Sequence, residues 1–300
     1  MVSSLDVAQF ARDGYLVVPE VFSREETERL CAAVDAALVR RADPPPPMAE
    51  RDAYDRMFTQ HYNLWEDSPE VRAYTFAPRL AAIASALLGA PKLRIYCDQS
   101  FYKEPGSDET GVHQDYRLLS IAETRTITAW ISLNGSTREA GALGYLPGSH
   151  LHGRATNLDI SRGDDPLHKP ELQALLAEPA FHELSPGSVA FHHVLTFHLA
   201  TANRSQRTRK AFAVTFFADG STRGTAWPHA SVDREGIAVG ERIEGLGTPV
   251  VWPPSPELPP PPPPYRSAPK GWPGRAGGAC DPPPTCESIV RDSGERAPHE

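Results

Sequence analysis

"KLRIYCDQSFYKEPG", residues 92–106, decides how the rest of the chain is read. Before it, apolar residues recur at helical spacing. From Lys92 onward they alternate with polar ones. Successive side chains of a strand face opposite ways, so Ile95, Cys97, Gln99, Phe101 and Lys103 are expected on one face. The alternation returns in "TRTITAWISL" (124–133), which puts Thr126, Thr128, Trp130 and Ser132 together. "GALGYL" (141–146), "GSVAFHH" (187–193) and "KAFAVTFFA" (210–218) follow, each bounded by Gly, Pro, Asn or Asp turns. "LPGSH" and "LSPGS" carry turn chemistry at strand ends.

Upstream, "SREETERLCAAVDAALVRR" (23–41) reads as a helix. Ser23 and Glu26 form its capping box, and Leu30, Cys31, Val34 and Leu38 its apolar stripe. "GYLVVP" before it is a short strand. Helices are also expected in "SPEVRAYTF" (68–76) and in "PRLAAIASALLGA" (78–90), the latter closed by Gly89. Residues 48–66 mix aromatics with charges at no clean period. Helices first, then short strands without helical crossovers, predict a mainly β chain with flanking helices: two antiparallel sheets in a jelly-roll, cupin-like barrel.

Of 31 prolines, fifteen fall in residues 253–300. That stretch has no apolar period and is expected to lie outside the fold as a disordered or polyproline-like tail, leaving 1–252 as one domain. It reads as a ligand for an aromatic-groove domain, as the carrier of a Cys280–Cys286 redox or metal pair, or as a dispensable tail. The formal net charge of -8, with no long basic run, argues against nucleic acid as a partner. No 18-residue apolar stretch predicts a membrane span. The first residues carry no basic head and apolar core of a leader, and the four cysteines form no disulfide framework. A cytoplasmic protein is the expectation. The sequence leaves oligomeric state open.

Within this frame "GVHQDYRLL" (111–119) acquires meaning. A His-x-Asp pair alone is a weak signal. On a strand, though, His113 and Asp115 enter one site from one side. A second histidine would complete the two-His, one-carboxylate set that leaves three positions of an octahedral Fe(II) open. His192, His193 and His198 are the candidates. Arg209 stands eleven residues past His198, across the polar stretch "TANRSQRT". If the two flank a hairpin, the guanidinium enters the same barrel, where its planar fork suits the distal carboxylate of a dicarboxylate such as 2-oxoglutarate.

"HQDY", "TAWISLNGSTREAGALGYLPGSH" (128–150) and "FHHVLTFHLATANRSQRTRKA" (191–211) resemble the phytanoyl-CoA dioxygenase family of Fe(II)/2-oxoglutarate oxygenases, and "DGYLVVPEVFSREE" (13–26) resembles that family's opening. The resemblance spans about residues 6–252. It implies a double-stranded β-helix, with His113, Asp115 and His198 as iron ligands, Arg209 as the 2-oxoglutarate anchor and Trp130 lining that pocket. Gln99 and Lys103 line its other side. One of His192 and His193 is then an outer neighbour of the metal or a core residue. Some members have Ser where this chain has Ala200, so Thr201 is a candidate to replace that hydroxyl. The implied activity is oxidation of a small organic molecule, most simply hydroxylation, with O2 as oxidant and succinate and CO2 released. A cupin-like metal enzyme without 2-oxoglutarate and a non-catalytic binding module are the competing readings. Residues 48–66, those after Asp115 and the loop 151–180 would shape the substrate pocket, through Tyr54, Phe58, His61, Trp65, Tyr116 and Arg117. That mixture suits a partly apolar molecule with a polar or anionic handle.

Overall fold

The computed structural model describes residues 2–41, 45–154 and 178–265. Its elements are α1 (Ser4–Asp13), β1 (Tyr15–Val18), α2 (Arg24–Arg41), β2 (Thr59–Tyr62), α3 (Pro69–Thr75), α4 (Pro78–Leu88), β3 (Leu93–Lys103) and β4 (Thr110–His113). β5 (Thr126–Ser132), β6 (Leu143–Tyr145), β7 (Ala180–Phe181), β8 (Val189–His193), β9 (His198–Ala200), β10 (Arg209–Ala218), α5 (Ala230–Asp233) and β11 (Val250–Trp252) follow.

Two antiparallel sheets form. The major one runs β1-β8-β5-β10-β3-β11, with β2 also paired to β3; the minor one runs β4-β9-β6-β7. The outer face of the major sheet carries Ile127, Ala129, Ile131, Phe191, Phe212, Val214 and Phe216, buried against Leu30, Val34, Leu80 and Ala84 of the helices. Burial of roughly 2 kcal/mol per large apolar side chain makes this layer the main stabilising core. The inner face, offset by one residue, carries Thr128, Trp130, Ala211, Ala213 and Thr215, with Trp130 paired to Ala213 and Thr128 to Thr215. Small residues opposite a large one leave room between the sheets.

The α2 capping box forms as expected: Glu26 N donates to Ser23 Oγ at 3.2 Å, and Ser23 N to the Glu26 carboxylate at 2.8 Å. Gly89 closes α4 at φ 58°. The β3 alternation holds for Cys97, Gln99, Phe101 and Lys103, but Ile95 lies on the opposite, helix-covered face. A bulge explains the difference: Thr215 pairs with Cys97 and Phe216 with Ile95, so Tyr96 is the extra residue. Residues 48–66 contain a strand the sequence does not signal, β2, whose Gln60 and Tyr62 pair with Phe101 and Gln99.

No helix among the described residues is long and apolar enough to cross a membrane. Of the proline-rich stretch, 253–265 is described. Arg234 donates to the Pro263 carbonyl at 3.1 Å and its guanidinium lies 5.8 Å from the Tyr265 ring centroid. Cys280 and Cys286 lie outside the described residues, as does most of the 151–180 loop.

The turn into β8 tests the packing. Gly187 has φ +83°, and a Cβ there would stand 2.1 Å from the Phe22 carbonyl oxygen. The Phe22 backbone, with the Thr27 hydroxyl at 2.8 Å, leaves little to yield. Gly187→Ala is expected to cost about 2–4 kcal/mol, a fall of roughly 5–10 °C in Tm, read by thermal denaturation.

Candidate metal and co-substrate site

β4 ends at His113, β9 begins at His198, and the two residues pair across the minor sheet. Asp115 is not on the strand. It opens a single 3-10 turn, Asp115–Leu118, so the convergence with His113 comes from a strand-to-turn junction and not from strand alternation. One ligand atom from each of His113, Asp115 and His198 lies within 4.8 Å of the others.

Hydrogen bonds fix the protons. His113 Nδ1 meets the Gly111 carbonyl at 2.8 Å and His198 Nδ1 the Thr196 carbonyl at 3.0 Å. A carbonyl only accepts, so both Nδ1 atoms are protonated and both Nε2 atoms present bare lone pairs. Burial favours the neutral imidazole in each. These Nε2 atoms stand 3.8 and 3.6 Å from Asp115 Oδ1. Three acceptors thus face one another with no donor between them, an arrangement that a cation relieves.

The other carboxylate oxygen is held from the major sheet. Asp115 Oδ2 accepts from Thr128 Oγ1 at 3.0 Å and from His192 Nε2 at 3.1 Å. His192 Nδ1 meets the Tyr145 hydroxyl at 3.3 Å. Burial opposes the charge of Asp115, yet the hydrogen bond from His192 counts among the effects that hold the carboxyl well below the usual carboxylate range. Each of the three side chains is therefore oriented by a partner, which is how metal-binding side chains are kept in place.

Between the sheets lies a cavity of about 860 Å³ including its mouth. It is lined by the triad, Trp130, Arg209, Leu143 and Ala200, and on another wall by Tyr54, Phe58, Gln60, Gln99 and Phe101. Arg209 is 2% exposed. Its guanidinium stands 5.1 Å from the Trp130 ring centroid, donates weakly to the Phe101 carbonyl at 3.4 Å, and leaves Nε with no partner. Desolvation lowers its pKa to about 9, so it stays charged at neutral pH. Among the described residues no carboxylate pairs with it. A buried cation without an anion is costly, and the cavity offers space for an anion beside it.

The comparisons with known proteins agree with this geometry. Residues 10–211 match the family model described as phytanoyl-CoA dioxygenase. The chain belongs to the phytanoyl-CoA dioxygenase family. It is an iron- and 2-oxoglutarate-dependent dioxygenase. A Caenorhabditis elegans relative, a phytanoyl-CoA dioxygenase domain-containing protein 1 homolog, is 23% identical over 255 residues, covering 69% of this chain and 88% of the relative. Among solved structures, the non-heme alpha-ketoglutarate-dependent carbocyclase SnoK from nogalamycin biosynthesis has 28% identity and a TM-score of 0.69, covering 83% of this chain and 96% of SnoK. The epimerase SnoN, solved with Fe3+, alpha-ketoglutarate and nogalamycin RO, shares the fold at TM-score 0.70 and 22% identity, covering 82% of this chain and 97% of SnoN.

Several residues of the dioxygenase sit elsewhere than its sequence suggests. His198 and Arg209 do not flank a hairpin. β9 belongs to the minor sheet and β10 to the major one, so the two face each other across the cavity. The turn between them crosses the layers, with Asn203 Nδ2 donating to the Lys103 carbonyl at 2.6 Å. Lys103 does not line the cavity. It is 0% exposed, and its ammonium is used up on the Met57 and Asp108 carbonyls, with Thr110 Oγ1 at 3.5 Å. Burial, then neighbouring Arg209, lowers its pKa to about 7. Thr201 does not replace a hydroxyl at Ala200: its Oγ1 donates to the Arg138 carbonyl at 2.6 Å.

Of the proposed substrate residues, Tyr54 and Phe58 line the cavity; His61, Trp65, Tyr116 and Arg117 do not. His61 alternates away from Gln60 and Tyr62 on β2. Trp65 is packed edge-on to Phe76 in the helical layer. The Tyr116 hydroxyl donates to the Ala122 carbonyl at 3.2 Å, beneath the Arg154 guanidinium. Arg117 is exposed. His193 is half-buried outside the cavity, its ring 5.5 Å from that of His150. Sequence reading missed Gln60, Tyr62, Thr128 and His229 as cavity residues. Thr128 was legible as an inward position of β5 but carried no motif.

Proposed function

We propose that this dioxygenase hydroxylates a small organic molecule in the inter-sheet cavity, and that its two sheets are the halves of a double-stranded β-helix. His113, Asp115 and His198 would hold Fe(II), through two bare Nε2 atoms and one carboxylate oxygen. Arg209 would take the distal carboxylate of 2-oxoglutarate, with Trp130, Leu143 and Ala200 shaping the slot between anchor and metal. When bound, iron and 2-oxoglutarate together supply oxidation of a C–H bond by O2, with release of succinate and CO2. The protein's share is geometric. His192 and Thr128 fix the carboxylate, Trp130 covers the guanidinium, and the apolar walls exclude water.

The observation that carries the reading is the uncompensated Arg209 guanidinium facing the same cavity as three converging acceptors. A cupin-like enzyme without 2-oxoglutarate gives that buried cation no purpose, and a non-catalytic module gives none to the oriented triad. Anaerobic addition of Fe(II) and 2-oxoglutarate to the protein is expected to produce a weak visible charge-transfer band. Succinate should then form on admitting oxygen. Iron binding without that band would sink the 2-oxoglutarate reading.

A further inference from the structure

Beyond the metal end of the cavity lies a histidine that no motif marks. His229 lines the cavity and is 5% exposed. The β3 bulge at Tyr96 turns that ring inward, and the His229 imidazole stacks on it at 4.2 Å, with Tyr62 edge-on at 6.2 Å. The backbone N–H of Ser231 donates to His229 Nδ1 at 3.2 Å. A backbone amide can only donate, so Nδ1 is the unprotonated nitrogen and the proton sits on Nε2. Burial, assisted by Arg223 and Arg234, lowers the pKa to about 3 and keeps the ring neutral. Among the described residues Nε2 has no hydrogen-bond partner. It is a rigid, oriented N–H donor with nothing to donate to.

Its position separates it from the co-substrate anchor. Arg209 pairs with Lys103 at one end of β10, and Thr215 with Cys97 towards the other. Thr215 stands six positions along the strand from Arg209, roughly 20 Å. Thr128, the Asp115 partner, pairs with Thr215, and Tyr96 follows at the bulge. His229 therefore flanks the metal on the side away from Arg209.

The remaining wall narrows what can occupy this end. The Tyr62 hydroxyl is engaged with Tyr54. Tyr54 donates to Gln60 at 2.8 Å, Gln60 to Gln99 at 2.7 Å, and Gln99 to Cys97 Sγ at 3.3 Å. These polar groups bond one another. Phe58, Phe101, Leu118 and Leu119 supply apolar surface. The only charged side chains among the described lining residues are Asp115 and Arg209, and the proposed function assigns both. A charged substrate would find no counter-charge here.

We propose that His229 is a substrate-positioning residue: its Nε2–H donates to a carbonyl or hydroxyl oxygen of an uncharged, mainly apolar cyclic molecule held beside the metal. The proposal rests on the iron and 2-oxoglutarate reading above, and of the polar or anionic handle expected from the sequence it keeps the polar one. Flat apolar bodies suit the aromatic walls, and a single fixed donor orients them.

The test uses the full chain loaded anaerobically with Fe(II) and 2-oxoglutarate, titrated with 1-tetralone, tetralin and 1-naphthoate while the visible band is followed. Tetralone should perturb the band at concentrations about tenfold below tetralin, the effect of one neutral hydrogen bond, and naphthoate should bind more weakly than tetralone. His229→Phe keeps a stacked ring without the donor and should erase the tetralone preference while the band without added compound is unchanged; His229→Gln should restore part of it. Equal binding of tetralone and tetralin, no response to tetralone, tighter binding of naphthoate, or a preference that survives in His229→Phe would each overturn the proposal. The first three comparisons need only the unaltered chain, so they stand even if a variant does not fold. If the band never forms in the unaltered protein, the iron and 2-oxoglutarate reading fails and takes this proposal with it.

Discussion

Replacing His198 with alanine is expected to abolish iron binding and turnover together, while His193→Ala leaves both near the level of the unaltered protein. His198 offers one of two bare imidazole nitrogens beside Asp115, and among the described residues His113, Asp115 and His198 are the group whose ligand atoms converge. His193 lies outside the cavity, so its loss alters only local packing. His192 should fall between them. It holds the Asp115 oxygen that faces away from the other imidazoles, and loss of such an outer partner costs on the order of 10–100-fold in metal affinity. Fe(II) titration of the three variants gives the ranking His198, His192, His193. Iron binding by His198→Ala with ordinary affinity, or its loss in His193→Ala alone, would refute the assignment.

The second large effect belongs to Arg209. Arg209→Ala should leave Fe(II) affinity nearly unchanged and weaken 2-oxoglutarate by about 3 kcal/mol, on the order of 10²-fold. The guanidinium is buried, charged and without a carboxylate among the described residues, so the incoming anion meets a cation already stripped of water. Arg209→Lys should recover only part of the loss, because a point charge lacks the planar fork and the contact with Trp130. Equilibrium titration of 2-oxoglutarate against the three iron-loaded proteins checks both statements. An unchanged affinity in the alanine variant would refute the anchor.

Much of this architecture was legible because the physics that made it is local. Alternation along β3, β5 and β10 is a property of extended chain, and a capped helix such as α2 announces itself in four residues. The triad was legible as residue types, but the argument from strand alternation was wrong for Asp115, which begins a turn. What failed was everything set by which strand meets which. Eleven residues between His198 and Arg209 read as a hairpin, yet the turn changes sheets. β2 is four residues long, and its pairing with β3 leaves no periodic trace. The bulge that reverses Ile95 arises from pairing with β10, not from the β3 sequence itself. Lys103 was on the inward face as expected, but the carbonyls of Met57 and Asp108 reach it first. His229 has no neighbouring motif at all. It acquires a role only because the segment after β10 folds back onto Tyr96.

The division of the site between the two sheets has a mechanical consequence. His113 and His198 belong to the minor sheet and Arg209 to the major one. A molecule held by the metal at one end and by the guanidinium at the other is then a removable cross-link between the layers. Separating the sheets requires letting it go, so its binding energy resists unfolding as well as directing chemistry. By mass action, a hundredfold excess over the dissociation constant adds about 2.7 kcal/mol to the folded state. With the proposed anchor, the resistance of this protein to heat and proteolysis would be tied to the supply of a small dicarboxylate, and a cell short of it would hold a softer enzyme as well as an idle one.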